Sequence, residues 1–294
     1  MKKVFITGIE SFTGRHLRNY LERAGYSVYG SVLQKSDADP AIFGCDITDK
    51  ASCAQLLQKV EPHFIIHLAG IAFVGHGESE DFYRVNTIGT GNLLDAIDAM
   101  PTKPQKVIVV SSATVYGNQN ATLLEESMCP KPTNHYAISK YGVESLAATY
   151  FKKFPIVVSR PFNYTGVGQS EDFLIPKIVA HFKEGKKSIE LGNLHVRREF
   201  NDVAFVCEAY KRLLESSVES VVLNIASNRG IALLDVIEMM QAIAGYTIEV
   251  KVNPAFVRKN EIATLTGSAQ KLFAAVGSIE QKPLQETLKD MFEA

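Results

Sequence analysis

Apolar runs of strand length alternate along this chain with stretches whose apolar residues recur at helical spacing. Val4–Thr7, Ser27–Val32, Phe64–Leu68, Val107–Ser111, Ile156–Ser159 and Val221–Ile225 read as strands. Several are apolar at successive positions, the pattern of strands covered on both faces. Between them the apolar period predicts helices at about 14–24, 51–60, 82–99, 136–153 and 202–215. Strand and helix in alternation predict an α/β fold built on a doubly wound parallel sheet. No Gly/Ser/Pro-rich linker, internal repeat or low-complexity segment divides the chain, so a second domain is expected to be interleaved with the first.

Composition narrows the picture. At 294 residues, 46% of them apolar, the chain can bury the core of one large α/β domain with a smaller partner, or of two equal domains. A formal net charge of −1 gives no footprint for nucleic acid or an anionic membrane. Neither is an expected partner, and an anionic ligand must be held by a few local cations. The opening Met1–Gly8 is too brief for a signal-peptide core and no run approaches spanning length, so a cytoplasmic location is expected. Cys45, Cys53, Cys129 and Cys207 are scattered, with no CxxC pair and no clustered His; reduced thiols and no metal are expected. The N-x-T matches at Asn120 and Asn163 are discounted without a secretory signal.

Two regions carry candidate chemistry. The first strand ends in Thr7-Gly8-Ile9-Glu10-Ser11-Phe12-Thr13-Gly14, and a helix follows. Glycines at such a turn let backbone N–H groups approach a pyrophosphate at a helix N-terminus, which makes Gly8, Ser11, Phe12, Thr13 and Gly14 candidate cofactor contacts. Ser11 stands where the usual G-x-x-G-x-x-G fingerprint has its middle glycine. The second strand, ending near Val32, has no acid to accept hydrogen bonds from the adenosine ribose until Asp37. Without that carboxylate a 2′-phosphate is not repelled, and Lys35 with Ser31 or Ser36 is placed to bind one. NADP(H) is therefore favoured, with NAD(H) as the alternative.

Farther along, Tyr136 and Lys140 stand four apart on one helix face. A free phenol, with a pKa of about 10, is a poor acid or base at neutral pH. A nearby ammonium is expected to lower that value and tune Tyr136 for general acid–base work. The strand before this helix runs out in Ser111 and Ser112. In a parallel sheet the strand C-termini face the ligand crevice, so Ser112 can hydrogen-bond a substrate oxygen. Turn, serine strand end and Tyr/Lys helix in this order are far more specific than any one of them.

On these motifs the sequence resembles the extended short-chain dehydrogenase/reductase family, which acts mainly on nucleotide sugars. The resemblance covers nearly the whole chain: TGIESFTG, the acid in Cys45-Asp46-Ile47, HLAG at His67–Gly70, SSATVYG from Ser111 and YAISK from Tyr136. It implies a Rossmann-type sheet with a smaller interleaved α/β substrate domain. Residues 1–163 with about 200–227 would bind NAD(P), and 164–199 with about 228–294 would bind the nucleotide sugar. It further implies that Asp46 and Ile47 meet the adenine, that Leu68, Ala69 and Gly70 flank the cofactor, and that Ser111 and Pro161 line it. Tyr136 would be the proton donor, Lys140 would bind the nicotinamide ribose, and Ser112 would hold the reacting oxygen. Family members often form homodimers through the helices predicted here at about 82–99 and 136–153, so a homodimer is expected.

The second half narrows the substrate. Arg160–Gln169 looks like the RPFNHTGPGQ segment of GDP-4-keto-6-deoxymannose reductases. Gly192-Asn193-Leu194 with Arg197–Val203 is similar to G-N-L…R-R-D-F-x-D-V, Arg258–Ile262 to R-P-x-E-V, and Gly267–Leu272 to G-D-x-x-K-L. Arg198 and Arg258 suit a diphosphate clamp, because guanidinium forks match phosphate oxygens. Asn163 suits a sugar or phosphate oxygen, and Ala113, Thr114 and Glu261 complete the expected substrate contacts. Arg197 reads as a surface charge, and Phe173 and Ile175 as helix-start core. Related dehydratases carry a carboxylate base two residues after the Ser112 position; Thr114 cannot serve as that base, so reduction or epimerisation at C4 remains. The favoured reading is NAD(P)H-dependent reduction of the C4 ketone of a GDP-linked 4-keto-6-deoxyhexose, in surface-polysaccharide precursor synthesis. The first alternative is a C4 epimerase with tightly bound NAD. The second is a non-catalytic dinucleotide-sensing protein, a class that commonly loses the Tyr or Lys retained here.

Overall fold

Strands apolar at successive positions need cover on both faces, and the computed structural model, which describes residues 1–35, 39–72, 78–258 and 261–294, shows that cover. Strands β1 (Lys3–Thr7), β2 (Ser27–Val32), β3 (Ile42–Gly44), β4 (Phe64–His67), β5 (Lys106–Val110), β6 (Ile156–Pro161) and Val221–Ile225 form one sheet. Its order is β3-β2-β1-β4-β5-β6 and then Val221–Ile225, every neighbour parallel, so the fold is a Rossmann-type α/β sheet. Successive side chains point to opposite faces. On one face Val4, Ile6, Ile66, Ile108 and Val157 pack with Leu17 and Leu21 of helix α1 (Phe12–Arg23) and with Val206 and Leu213 of the Val203–Glu215 helix. On the other, Phe5, Ile65, Val107, Val109 and Val158 pack with Leu57 of helix α2 (Lys50–Val60), with Leu94 and Ile97 of Gly89–Ala99, and with Val143 of His135–Ala148.

The order places a reversal between β1 and β4, where a doubly wound sheet opens its ligand crevice beyond the strand C-termini. Thr7 and His67 are paired in register across that point. All six predicted strands are present; Ser27–Val32 and Val221–Ile225 match at both ends, and the other four differ by one or two residues. Strand β3 was not anticipated; it is three residues long and only Ile42 is buried. The helix expected from about 14 begins at Phe12, and the one expected to reach about 153 ends at Ala148. The segment expected at 82–99 starts at Ser79 and passes through a wider π-helical stretch, Phe82–Ile88.

The second half adds elements that periodicity did not delimit, although Ile175 is buried at a helix start as expected, while Phe173 just before it is exposed. Helices Leu174–Lys183, Leu233–Ala244 and Leu284–Glu293 gather a separate apolar core around Ile178, Phe182, Val236, Met240 and Leu288. Arg197–Arg198 forms the middle of a small sheet, antiparallel to Ile231–Ala232 and parallel to Thr264–Leu265. Among the described residues no helix is long and apolar enough to cross a membrane.

Candidate active site

The turn after β1 is built on two glycines. Gly8 has φ +71°, a region L side chains rarely adopt, and a Cβ there would lie 3.1 Å from the Ala69 backbone. A Cβ on Gly14 would meet the Gly8 and Ile9 carbonyls at 2.4 Å, so α1 packs directly against the turn. Ser11 occupies the N-cap of α1, its hydroxyl accepting from the Gly14 amide at 3.1 Å. A serine in the middle-glycine position is thus a helix cap, a role for which its side chain is suited. With Gly14 capped, Phe12 and Thr13 carry the remaining first-turn amides of α1, the groups through which a helix N-terminus can bind an anion. Phe12 stacks on Tyr164, and Thr13 Oγ1 lies 2.7 Å from the Tyr164 hydroxyl, so the segment after β6 closes over this turn.

The β2 end differs from expectation. Ser31 is buried at 2% exposure, and its carbonyl accepts from Gly8 N at 2.8 Å and Ile9 N at 3.2 Å. Ser31 is thus buried in the sheet, and among the described residues of the expected phosphate-binding set Lys35 is exposed; Ser36 and Asp37 lie outside the described residues. Asp46 is exposed, and Thr48 donates to it from both N (2.8 Å) and Oγ1 (2.7 Å), holding its carboxyl below the usual range. Ile47 beside it is buried.

Across the crevice, β4 ends in a buried network. Thr90 Oγ1 donates to the Asn86 carbonyl at 2.5 Å, so it must accept from His67 Nε2 at 2.8 Å. His67 Nδ1 then accepts from Thr7 Oγ1 at 2.7 Å, and Thr7 Oγ1 accepts from Ala69 N at 3.0 Å. Asn86 accepts from Ile71 N at 2.8 Å and donates to Ser139 Oγ at 3.1 Å. This ties the Leu68-Ala69-Gly70 corner to the helix that carries Tyr136. A Cβ on Gly70 would lie 2.8 Å from Asn86 Oδ1 and 3.5 Å from Lys140 Nζ, so a side chain here would fill the approach to the lysine. Neither His67 nor Asn86 was singled out as a site residue from sequence.

His67 gives a pH prediction. Burial and the nearby Lys140 depress its pKa from 6.5 to about 3, so the folded chain holds it neutral while the unfolded chain protonates it. Below 6.5 the unfolded state therefore binds more protons, and stability falls with pH through that window by up to about 1.4 kcal/mol per unit. Urea unfolding at about pH 7 and pH 5 is expected to show the wild type losing about 2 kcal/mol more than His67→Asn. Equal losses would contradict this assignment.

The Tyr136 helix starts where Asn134 caps it, accepting from Ala137 N at 2.8 Å, which sets Tyr136 and Lys140 one turn apart on the crevice side. Both are buried, at 9% and 8% exposure. Ser112 caps the short Ala113–Tyr116 turn, its hydroxyl 2.9 Å from Thr114 Oγ1 and close enough to Tyr136 to stabilise the phenolate. The expected depression of the Tyr136 pKa by Lys140 is not what the site shows. Burial raises the phenol above its ordinary value, with Ser112 pulling the other way. The Lys140 ammonium instead donates to the Val110 carbonyl at 2.9 Å, and burial lowers its pKa to about 8. Two further expectations are corrected. Ser111 donates its hydroxyl to Glu144 at 2.6 Å, so that side chain does not face the crevice. Ala113 is 2% exposed, packed in an apolar cluster with Tyr116, Leu124 and Phe162 rather than standing free to meet a substrate. Pro161 is half-buried at the end of β6, and Asn163 stands exposed two residues on.

The expected substrate cations come together. Arg198 is buried at 8% exposure and pairs with Glu261 at 2.5 Å, and Arg258 Nη1 lies 4.0 Å from the other Glu261 oxygen. One carboxylate thus sits between two guanidinium groups, leaving net positive charge. Arg258 is held by a backbone bond, its N donating to Asn193 Oδ1 at 2.8 Å, while its side chain is 67% exposed. Lys259 and Asn260 lie outside the described residues. Glycines at the β1 turn, first-turn amides of α1 and a crevice open at Gly70 beside Lys140 fit a dinucleotide laid across the switch point.

Fold and site together define an NAD(P)-dependent oxidoreductase of the extended short-chain dehydrogenase/reductase class. The chain belongs to the GDP-mannose 4,6 dehydratase family, whose model matches residues 5–291. It is 36% identical over 277 residues to the GDP-6-deoxy-D-talose 4-dehydrogenase of Aggregatibacter actinomycetemcomitans, covering 94% of this chain and 92% of that protein. It is 30% identical over 299 residues to the GDP-6-deoxy-D-mannose reductase of Pseudomonas aeruginosa, covering 98% and 95%. Among solved structures, RMD from Pseudomonas aeruginosa complexed with NADPH superposes with a TM-score of 0.87 at 28% identity, covering 100% of this chain and 98% of that one.

Proposed function

We propose that this protein reduces the C4 ketone of a GDP-linked 4-keto-6-deoxyhexose, with NADPH favoured over NADH. The observation that carries the reading is the hydroxyl pair Ser112–Thr114 beside Tyr136: a site with a proton donor and no carboxylate at the dehydratase base position. The names of both GDP-sugar relatives support the nucleotide, and that of the GDP-6-deoxy-D-talose 4-dehydrogenase supports the carbon. The nicotinamide cofactor supplies the hydride when bound. Gly8, Gly14 and the first-turn amides of Phe12 and Thr13 hold its pyrophosphate, with Ser11 fixing that turn. Asp46 and Ile47 take the adenine end, Lys35 a 2′-phosphate, and Leu68, Ala69, Gly70 and Pro161 flank the nicotinamide half. Lys140 holds the ribose hydroxyls. Tyr136 gives a proton to the oxygen at C4, and Ser112 donates a hydrogen bond to it as charge develops. Residues 1–163 with about 200–227 form the cofactor domain in this reading, and 164–199 with about 228–294 the sugar-nucleotide domain. A homodimer through the Tyr136 helix and its neighbour is supported by Ile88, Ile138 and Tyr141, exposed at 57%, 42% and 38%.

The test is cofactor oxidation with GDP-, dTDP- and CDP-4-keto-6-deoxyhexoses, each against NADPH and NADH. Turnover with the GDP sugar is expected; no turnover with any of the three would sink the proposal. The diphosphate clamp has its own test. Arg258 is exposed, so Arg258→Ala is expected to leave kcat within about twofold and raise KM by about tenfold, the mark of a uniform binding contact. An unchanged KM would remove Arg258 from the substrate.

A further inference from the structure

One group beside the reacting pair has no part in the chemistry above. Glu144 continues the line of Tyr136 and Lys140 by one more turn of the same helix and is buried at 5% exposure. It forms a fork-to-fork ion pair with Arg160 of β6: Nε to Oε1 at 2.8 Å and Nη2 to Oε2 at 2.7 Å. Ser111, at the end of β5, donates to Oε1 at 2.6 Å. Arg160 in turn lies over the Tyr116 ring, 4.6 Å from its centroid. The carboxylate is therefore fixed from three sides: its own helix, β5 and β6.

We propose that Glu144 is a positioning residue that acts through Lys140, one helical turn before it, providing the fixed counter-charge for the buried ammonium, while Arg160 and Ser111 hold the carboxylate in place. The inference rests on the assignment of Lys140 to the reacting pair. The reason is electrostatic. Lys140 is 8% exposed, its direct hydrogen bond is to the neutral Val110 carbonyl, and the nearby His67 of β4 is itself kept neutral. Burial drives the ammonium towards loss of its proton, and Glu144 opposes that shift. The other ionisable groups around the pair are the Tyr136 phenol on the same helix, the Tyr116 phenol and Arg160. Each phenol is held protonated by burial, and Arg160 faces Glu144 rather than Lys140. A neutral Lys140 would bind ribose hydroxyls without a charge, so the counter-charge sets the pH range over which Lys140 works as a cation.

The two ends of the ion pair make opposite predictions. In the full chain with lysines labelled at 13Cε, and the Lys140 signal assigned through Lys140→Met, the wild type is expected to titrate near 8. Glu144→Gln is expected to lower that midpoint by about one pH unit, and to move the alkaline limb of the kcat profile down with it. Arg160→Met leaves Glu144 facing Lys140 alone and is expected to raise the midpoint. A purely structural role for the pair would move both variants the same way, or neither, and either result overturns the proposal. If Glu144→Gln does not fold, the neutral double variant Glu144→Gln/Arg160→Met decides: a lowered midpoint supports the counter-charge and an unmoved one refutes it. The titration needs no substrate, so its outcome is independent of whether the GDP-sugar assignment holds.

Discussion

Tyr136→Phe is expected to lower kcat by about 10²- to 10⁴-fold while leaving fold and cofactor affinity close to wild type. The ring packs edge-on against Phe82, with centroids 6.0 Å apart, and phenylalanine fills the same space. What is lost is one hydroxyl at the mouth of the crevice, beside Ser112. In the proposed reaction that hydroxyl is the proton source, since Ser112 and Thr114 bond each other at 2.9 Å and neither is an acid at neutral pH. Burial keeps the phenol protonated over the working range, and the Ser112 hydrogen bond opposes that shift, easing formation of the phenolate left by the transfer. Single-turnover kinetics with bound cofactor would show hydride transfer slowed. A variant within tenfold of wild type would mean that water or another group protonates the product.

The second large effect is on stability. Arg160→Met is expected to cost about 3–5 kcal/mol, because it strips the buried Glu144 carboxylate of its two-point partner. Replacing both partners, as Glu144→Gln/Arg160→Met, removes the charges together and is expected to cost far less. Urea midpoints at constant m-value read both quantities. Equal costs for the single and double variants would show that packing against Tyr116, rather than charge, holds Arg160 in place.

The parts of this molecule legible in sequence were those written in local repetition. The core strands were readable because β1, β4, β5 and β6 are covered on both faces and so carry apolar residues at both parities. Tyr136 and Lys140 were readable because four residues is one helical turn. Ser11 was noticed as a lost glycine, and only the helix start at Phe12 shows that it is a cap. What stayed hidden depends on partners distant along the chain. His67 meets Thr7 across 60 residues, Asn86 meets Ser139 across 53, and Arg160 finds Glu144 on another element. No spacing rule encodes those pairs. The substrate half was hardest, since its Arg198 sits in a two-residue strand with no period to detect. The motifs around Arg198, Glu261 and Arg258 nonetheless marked residues that the fold brings into one charged cluster.

The most direct test of the central claim follows the hydride itself. NADPH carrying deuterium at the transferred position is incubated with a GDP-linked 4-keto-6-deoxyhexose, and the sugar product is read by mass spectrometry and NMR. The account expects one deuterium per product molecule, located at C4, with a matching amount of cofactor oxidised. Product without label, formed with no net cofactor oxidation, would mean that hydride returns from a retained nucleotide, and would contradict the assignment as a reductase.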